Sequence, residues 1–114
     1  PELQLGDGIA LQQHRLSAAA GKLTVDLTWA ATARPSKDYT VFIHVLDGSG
    51  RILAQTDSQP RSGDFPTSVW VPGDQFTDSR SLQLPPGHYT VEVGMYDLAS
   101  GQRLGRTLTS PVDL

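Results

Sequence analysis

The residue types and spacing most suited to chemistry in this sequence lie in DYTVFIHVLDGSGRILAQTD, from Asp38 to Asp57. Phe42 and His44 stand at alternate positions before the turn residues Asp47-Gly48-Ser49-Gly50, and Gln55 and Asp57 stand at alternate positions after them. If the two segments pair as a hairpin with 44 opposite 53 and 42 opposite 55, these side chains fall on one face, and Tyr96 can join them from the segment beginning at His88. An aromatic ring offers apolar area to a sugar or peptide, while Gln, His and Asp supply directed hydrogen bonds. The same residues admit a structural reading, in which His44 and Asp57 anchor the long loop that follows, as a buried histidine satisfied by a carboxylate or a carbonyl. Trp70, within PTSVWVPGD, is a further candidate: exposed, it would stack on a sugar ring; buried, it would close the end of the domain.

Other chemistries lack their residues. His14, His44 and His88 fall on different segments with no ligand spacing, whereas zinc needs three or four convergent ligands. Asp57, Asp64, Asp74 and Asp78 flank or line the long loop without a D-x-D-x-D-G pattern, so neither calcium nor any other metal or cofactor is expected. There is no cysteine, no G-x-S-x-G and no phosphate loop, and a paired-carboxylate hydrolase would need two acids across a cleft. Catalysis within the chain is not expected. The formal net charge is −3, and Arg34, Lys37, Arg51, Arg61, Arg80, Arg103 and Arg106 are scattered along the sequence, which argues against a nucleic-acid surface.

The elements that must hold these residues read as β-strands. Apolar content is 38%, with 11 Gly and 8 Pro in turn clusters at short intervals, and helix signals are nearly absent. In Lys22–Ala30, Leu23, Val25, Leu27 and Trp29 point one way and Thr24, Asp26 and Thr28 the other. His88–Tyr96 repeats the pattern with Tyr89, Val91, Val93 and Met95 inward. Tyr39–Leu46 is apolar on both faces, which places it in the middle of a sheet. Strands are predicted at about Ile9–Leu16, Leu23–Ala30, Tyr39–Leu46, Arg51–Asp57, Phe76–Leu84, His88–Tyr96 and Arg103–Val112, with Ser17–Ala20 as a connection and 59–75 as the one long, proline-rich loop. The expected fold is all-β, an antiparallel β-sandwich of immunoglobulin-like or jelly-roll-like type with about seven to eight strands. The 114 residues form a single domain. No apolar run reaches the roughly 20 residues of a membrane helix; the start at Pro1 reads as a piece cut from a longer protein.

The ordered blocks LTW, YTVFIHVLDGSGRILAQTDSQP, GDFPTSVWVPGD and LPPGHYTVEVGMYDLASGQRL resemble the soluble C-terminal domain of bacterial multi-pass membrane glycosyltransferases similar to dolichyl-phosphate-mannose–protein mannosyltransferases. The similarity runs from about Ile9 to Leu108. Its F-x-H-x-x-D block falls on Phe42, His44 and Asp47, its D-x-x-P block on Asp57 and Pro60, and its P-T-x-x-W-x-P-G block on Pro66, Thr67, Trp70, Pro72 and Gly73. The resemblance implies that His44, Asp57 and Trp70 matter jointly, and that transferase chemistry resides outside this segment. It also implies an extracytoplasmic accessory domain attached to a parent membrane domain. Such a domain would bind glycan or acceptor, or act as a structural spacer or protein-docking module; an independent secreted hydrolase is a third reading.

Overall fold

A computed structural model describes residues 2–114, apart from the side chains of residues 61 and 62. Pro1 and the side chain of Arg61, both used in reading the sequence, lie outside the described residues. The chain forms β1 (Leu3–Gly6), β2 (Ile9–Ala19), β3 (Lys22–Ala31), β4 (Tyr39–Leu46), β5 (Ile52–Ser58), β6 (Gln75–Gln83), β7 (His88–Asp97) and β8 (Leu108–Asp113). They pair antiparallel into two four-stranded sheets, ordered β1-β2-β3-β6 and β5-β4-β7-β8. The chain crosses between the sheets after β3, β5 and β6, the Greek-key habit of immunoglobulin-like sandwiches.

Alternation builds the interior. Leu23, Val25, Leu27 and Trp29 of β3 face Val41, Ile43 and Val45 of β4, all fully buried, with Val91, Val93 and Met95 of β7 beside them. Closing two inner faces over one another removes this apolar area from water, the dominant favourable contribution to folding.

The edges of the elements differ from the reading above, each for a local reason. Ser17–Ala19 continue β2 instead of forming a connection, because ladder pairing with Lys22–Thr24 overrides the helical preference of alanine. The reversal is left to Ala20 and Gly21, both left-handed at φ 53° and 76°. Strand β8 begins at Leu108, not Arg103. Gly105 turns the chain at φ 59°, where a side chain would sit 1.8 Å from the Leu5 carbonyl oxygen, so Arg103 makes only an isolated bridge to Tyr96. The short edge strand β1 was not anticipated.

The long loop contains two 3-10 turns, Pro60–Gly63 and Thr67–Val69. Its anchors are not His44 and Asp57. Thr67 Oγ1 accepts from the Tyr39 amide at 3.0 Å and donates to the Lys37 carbonyl, and the Ser68 amide donates to Asp38. At the loop's start, the nearly buried guanidinium of Arg80 donates to the carbonyls of Val41, Ser58 and Gln59 and to Asp78 at 3.0 Å. Arg80 and Asp78 lie on the inward face of β6 (opposite Val25 and Leu27 of β3), so this ion pair ties the edge of one sheet to the other.

Candidate functional site

The hairpin register places His44 opposite Gln55 and Phe42 opposite Asp57, two residues away from the simple pairing expected. The cause is a turn that extends to Arg51, whose carbonyl accepts from the Asp47 amide, together with a bulge between the pairs Val45–Ala54 and Leu46–Ile52. Because the slip is an even number of residues, the faces are preserved. Phe42, His44, Gln55 and Asp57 share the outer face of the β5-β4-β7-β8 sheet. Tyr96 joins them from β7, its hydroxyl donating to Asp57 Oδ2 at 3.0 Å.

Phe42 is the centre of this face, and it is 1% exposed. Directly across on β7 stands Gly94, where a Cβ would lie 2.8 Å from the Phe42 ring; the ring fills the space of the missing side chain. The guanidinium of Arg103 covers the ring at 4.5 Å from its centroid and reaches within 3.8 Å of Glu92. His44 packs against the ring at 4.8 Å, and Tyr96 at 6.1 Å. The His44 side chain is 13% exposed and its Nε2 is 3.4 Å from Asp57 Oδ1. Both of its ring nitrogens are buried without a hydrogen-bond partner among the described residues. Burial, with the Asp57 carboxylate that accepts its hydrogen bond, pushes the Tyr96 hydroxyl above its ordinary pKa, so it remains a donor at neutral pH.

Trp70 is not part of this face. It is fully buried in the interior cluster, its indole N–H donates to the Phe65 carbonyl at 3.0 Å, and Phe76 meets it edge-on at 5.0 Å. Phe65 completes the group at 4.9 Å from Phe76. Trp70 therefore closes the end of the sandwich and offers no free ring to a ligand; so large an apolar area next to the open end of the core is best kept from water there. Among the loop aspartates, Asp74 accepts from the Val71 amide at 3.0 Å as a turn cap and Asp78 holds Arg80. No group of three or more His, Cys, Asp or Glu that could hold a metal occurs among the described residues.

The sequence reading missed Gly94, Glu92 and Arg103. A glycine inside the otherwise regular HYTVEVGMY is a mark of close approach, and that was the available signal. Arg103 had none, since its place depends on the bend at Gly105.

No protein-family model matches the chain, and no curated protein matches it. Among solved structures, it is similar to part of a β-glucuronidase from glycoside hydrolase family 2, at a TM-score of 0.62 and 15% identity over 95% of this chain. The chain spans 11% of that enzyme's length, and the likeness is one of β-sandwich fold. An endonuclease/exonuclease/phosphatase from Beutenbergia cavernae DSM 12333 is more distant in shape, at a TM-score of 0.49 and 18% identity over 92% of this chain and 24% of that one. No helix among the described residues is long and apolar enough to cross a membrane.

Proposed function

We propose that this domain is a non-catalytic accessory module of a membrane glycosyltransferase-like protein, held on the extracytoplasmic side and serving as a rigid spacer or docking body. The observation that carries the spacer role is the burial of two of the three aromatic candidates, Phe42 at 1% and Trp70 at 0% exposure, while the third, Tyr96, is partly buried with its hydroxyl engaged by Asp57. A sugar-stacking site needs a ring face open to solvent, and these two rings are enclosed by protein. The membrane context rests on the resemblance of the YTVFIHVLDGSGRILAQTDSQP and GDFPTSVWVPGD blocks, and its direct test is whether membrane-spanning segments accompany this domain in its parent protein.

A second reading, glycan or acceptor binding on the outer face, is favoured by the cluster of Gln55, Asp57, Glu92, Tyr96 and Arg103 around His44. A backbone-amide NMR titration with mono- and oligosaccharides, carried to about 10 mM so that affinities near 1 mM register, separates the two. The spacer reading expects no movement at residues 42–44, 55–57 and 94–96. Saturable shifts confined to those residues would replace it with the glycan reading.

A further inference from the structure

We propose that Asp47-Gly48, at the tip of the β4–β5 hairpin, is a site of spontaneous covalent modification, where the folded chain leaves open the conversion of an aspartyl link to an isoaspartyl one. The inference does not depend on the spacer reading.

The sequence has two Asp-Gly pairs, Asp7-Gly8 and Asp47-Gly48. In such a pair the glycine nitrogen, unshielded by a side chain, can attack the aspartate's own Cγ and close a five-membered ring. Both carboxyls are held by three donors, so the pairs are separated by where those donors stand. Asp47 Oδ1 accepts from the Ser49 amide at 2.8 Å, the Ser49 hydroxyl at 2.6 Å and the Arg51 amide at 3.1 Å. A carboxyl that bonds the amide two residues on is folded over the amide between them, which brings Asp47 Cγ to the Gly48 nitrogen. Asp7 Oδ2 accepts instead from the amide and hydroxyl of Ser36 and the hydroxyl of Tyr39. These donors turn its carboxyl toward the 36–39 segment.

The two nucleophiles differ as well, because ring closure needs the peptide between the residues to swivel. Gly48 is exposed, its amide makes no hydrogen bond among the described residues, and a Cβ there would meet nothing within 4 Å. Gly8 is pinned. Its carbonyl accepts from the Thr32 amide at 2.8 Å, and a Cβ on it would lie 2.6 Å from the Ala33 carbonyl oxygen.

The step balances with water alone. The Gly48 nitrogen bonds to Asp47 Cγ while the Ser49 and Arg51 donors carry the charge developing on Oδ1. Oδ2 leaves as water, with its own proton and that of the amide. Hydrolysis of the succinimide returns one water: cleavage at Cγ restores aspartate, and cleavage at the former main-chain carbonyl routes the chain through Cβ and frees an α-carboxylate. The reactive carboxyl is the protonated one. Because the Ser49 hydroxyl, with the Arg51 and Ser49 amides, holds its pKa below the ordinary value, acid favours the reaction over neutrality. The product disturbs the Asp47 amide bond to the Arg51 carbonyl and the Gly50 amide bond to the Asp47 carbonyl. Strand β4 stays paired with β7 as far as Leu46 and Thr90, so the change is confined to the hairpin tip.

The test is peptide mapping of the folded chain after prolonged warming at about pH 5, nearer the ordinary aspartate pKa than neutral pH is. Trypsin cleavage after Lys37 and Arg51 releases residues 38–51, and cleavage after Arg15 releases 1–15. An isoaspartyl residue shows as a shifted retention at unchanged mass, with electron-transfer fragments split at its Cα–Cβ bond. The expected result is progressive loss of the 38–51 peptide to an isomer marked at residue 47, with 1–15 unchanged, whereas the chain unfolded in urea converts at both. Gly48→Ala, which the open surroundings accommodate, should slow the conversion by shielding the nitrogen. A folded chain whose 38–51 peptide persists overturns the proposal. So does conversion of 1–15 at a comparable rate, or a Gly48→Ala variant that converts as fast as the parent.

Discussion

Replacing Trp70 by alanine distinguishes a structural tryptophan from a ligand-stacking one. The side chain is fully buried, with Phe76 at 5.0 Å, Phe65 at 5.9 Å and an indole hydrogen bond to the Phe65 carbonyl. Removing a buried aromatic side chain costs about 3–5 kcal/mol through lost transfer energy and the cavity left behind, and the Phe65 carbonyl loses a bond worth about 1 kcal/mol within that range. For 114 residues a stability of roughly 6–17 kcal/mol is ordinary, so Trp70→Ala is expected to fold, weakened by roughly a fifth to four fifths. Trp70→Phe retains part of the ring contact and loses the donor, and should fall in between, at about 1–2 kcal/mol. Urea unfolding followed by far-ultraviolet circular dichroism measures both, because the m-value checks that the transition remains two-state. An alanine variant within about 0.5 kcal/mol of the parent, the range of an ordinary surface change, would refute the packing argument and return Trp70 to the list of ligand candidates.

Further outcomes follow from the same geometry. Gly94→Ala puts a Cβ 2.8 Å from the Phe42 ring; differential scanning calorimetry should show a loss of about 1–3 kcal/mol, and unchanged stability would mean the ring is free to move. Burial works to raise the Asp7 carboxyl, but hydrogen bonds from Tyr39 and Ser36 and the charge of Lys37 outweigh it and hold its pKa below the ordinary value. Its contribution is therefore present above the unfolded-state value and lost as pH falls through the lower folded one; Asp7→Asn should flatten the decline in melting temperature below about pH 4, and a decline identical to the parent's would contradict that. Ala20 holds φ 53° in a two-residue turn, so Ala20→Gly should raise stability by about 1 kcal/mol, checked by the urea midpoint, with a lowered midpoint counting against the turn assignment.

The strands that enter the interior were legible because period-two alternation over ten residues, as in KLTVDLTWAA, has one way to bury itself. Regular side chains at Leu23, Val25, Leu27 and Trp29 state the face, and the doubly apolar YTVFIHVL states a central position. What could not be read was set by single long-range contacts. Gly105 bends the chain because the Leu5 carbonyl lies against it, about a hundred residues away in sequence, and this delays β8 and delivers Arg103 to Phe42. The hairpin register depended on one bulge, which no local propensity announces. The candidate face was nonetheless read in large part, because a two-residue slip leaves side-chain parity intact. Trp70 was left open between two fates by sequence, since a tryptophan between prolines in a loop carries no alternation to orient it.

The two-faced character of β4 has a consequence for any reading of the outer face. A two-layer sandwich supplies a second sheet for only one side of a strand, so Phe42 needs cover that no other layer can give. Gly94 makes room for the ring, Arg103 lies over it, and His44 and Tyr96 wall its sides. The polar residues that look like recognition chemistry are thus the materials that keep Phe42 dry. A ligand on this face would have to replace the contacts of Arg103 with Phe42 and Glu92 before gaining contacts of its own, and its affinity would be reduced by that displacement. Any binding here and loosening of Arg103 would therefore be one coupled equilibrium, and a variant that weakens the cover would raise the affinity of such a ligand by enlarging the open fraction.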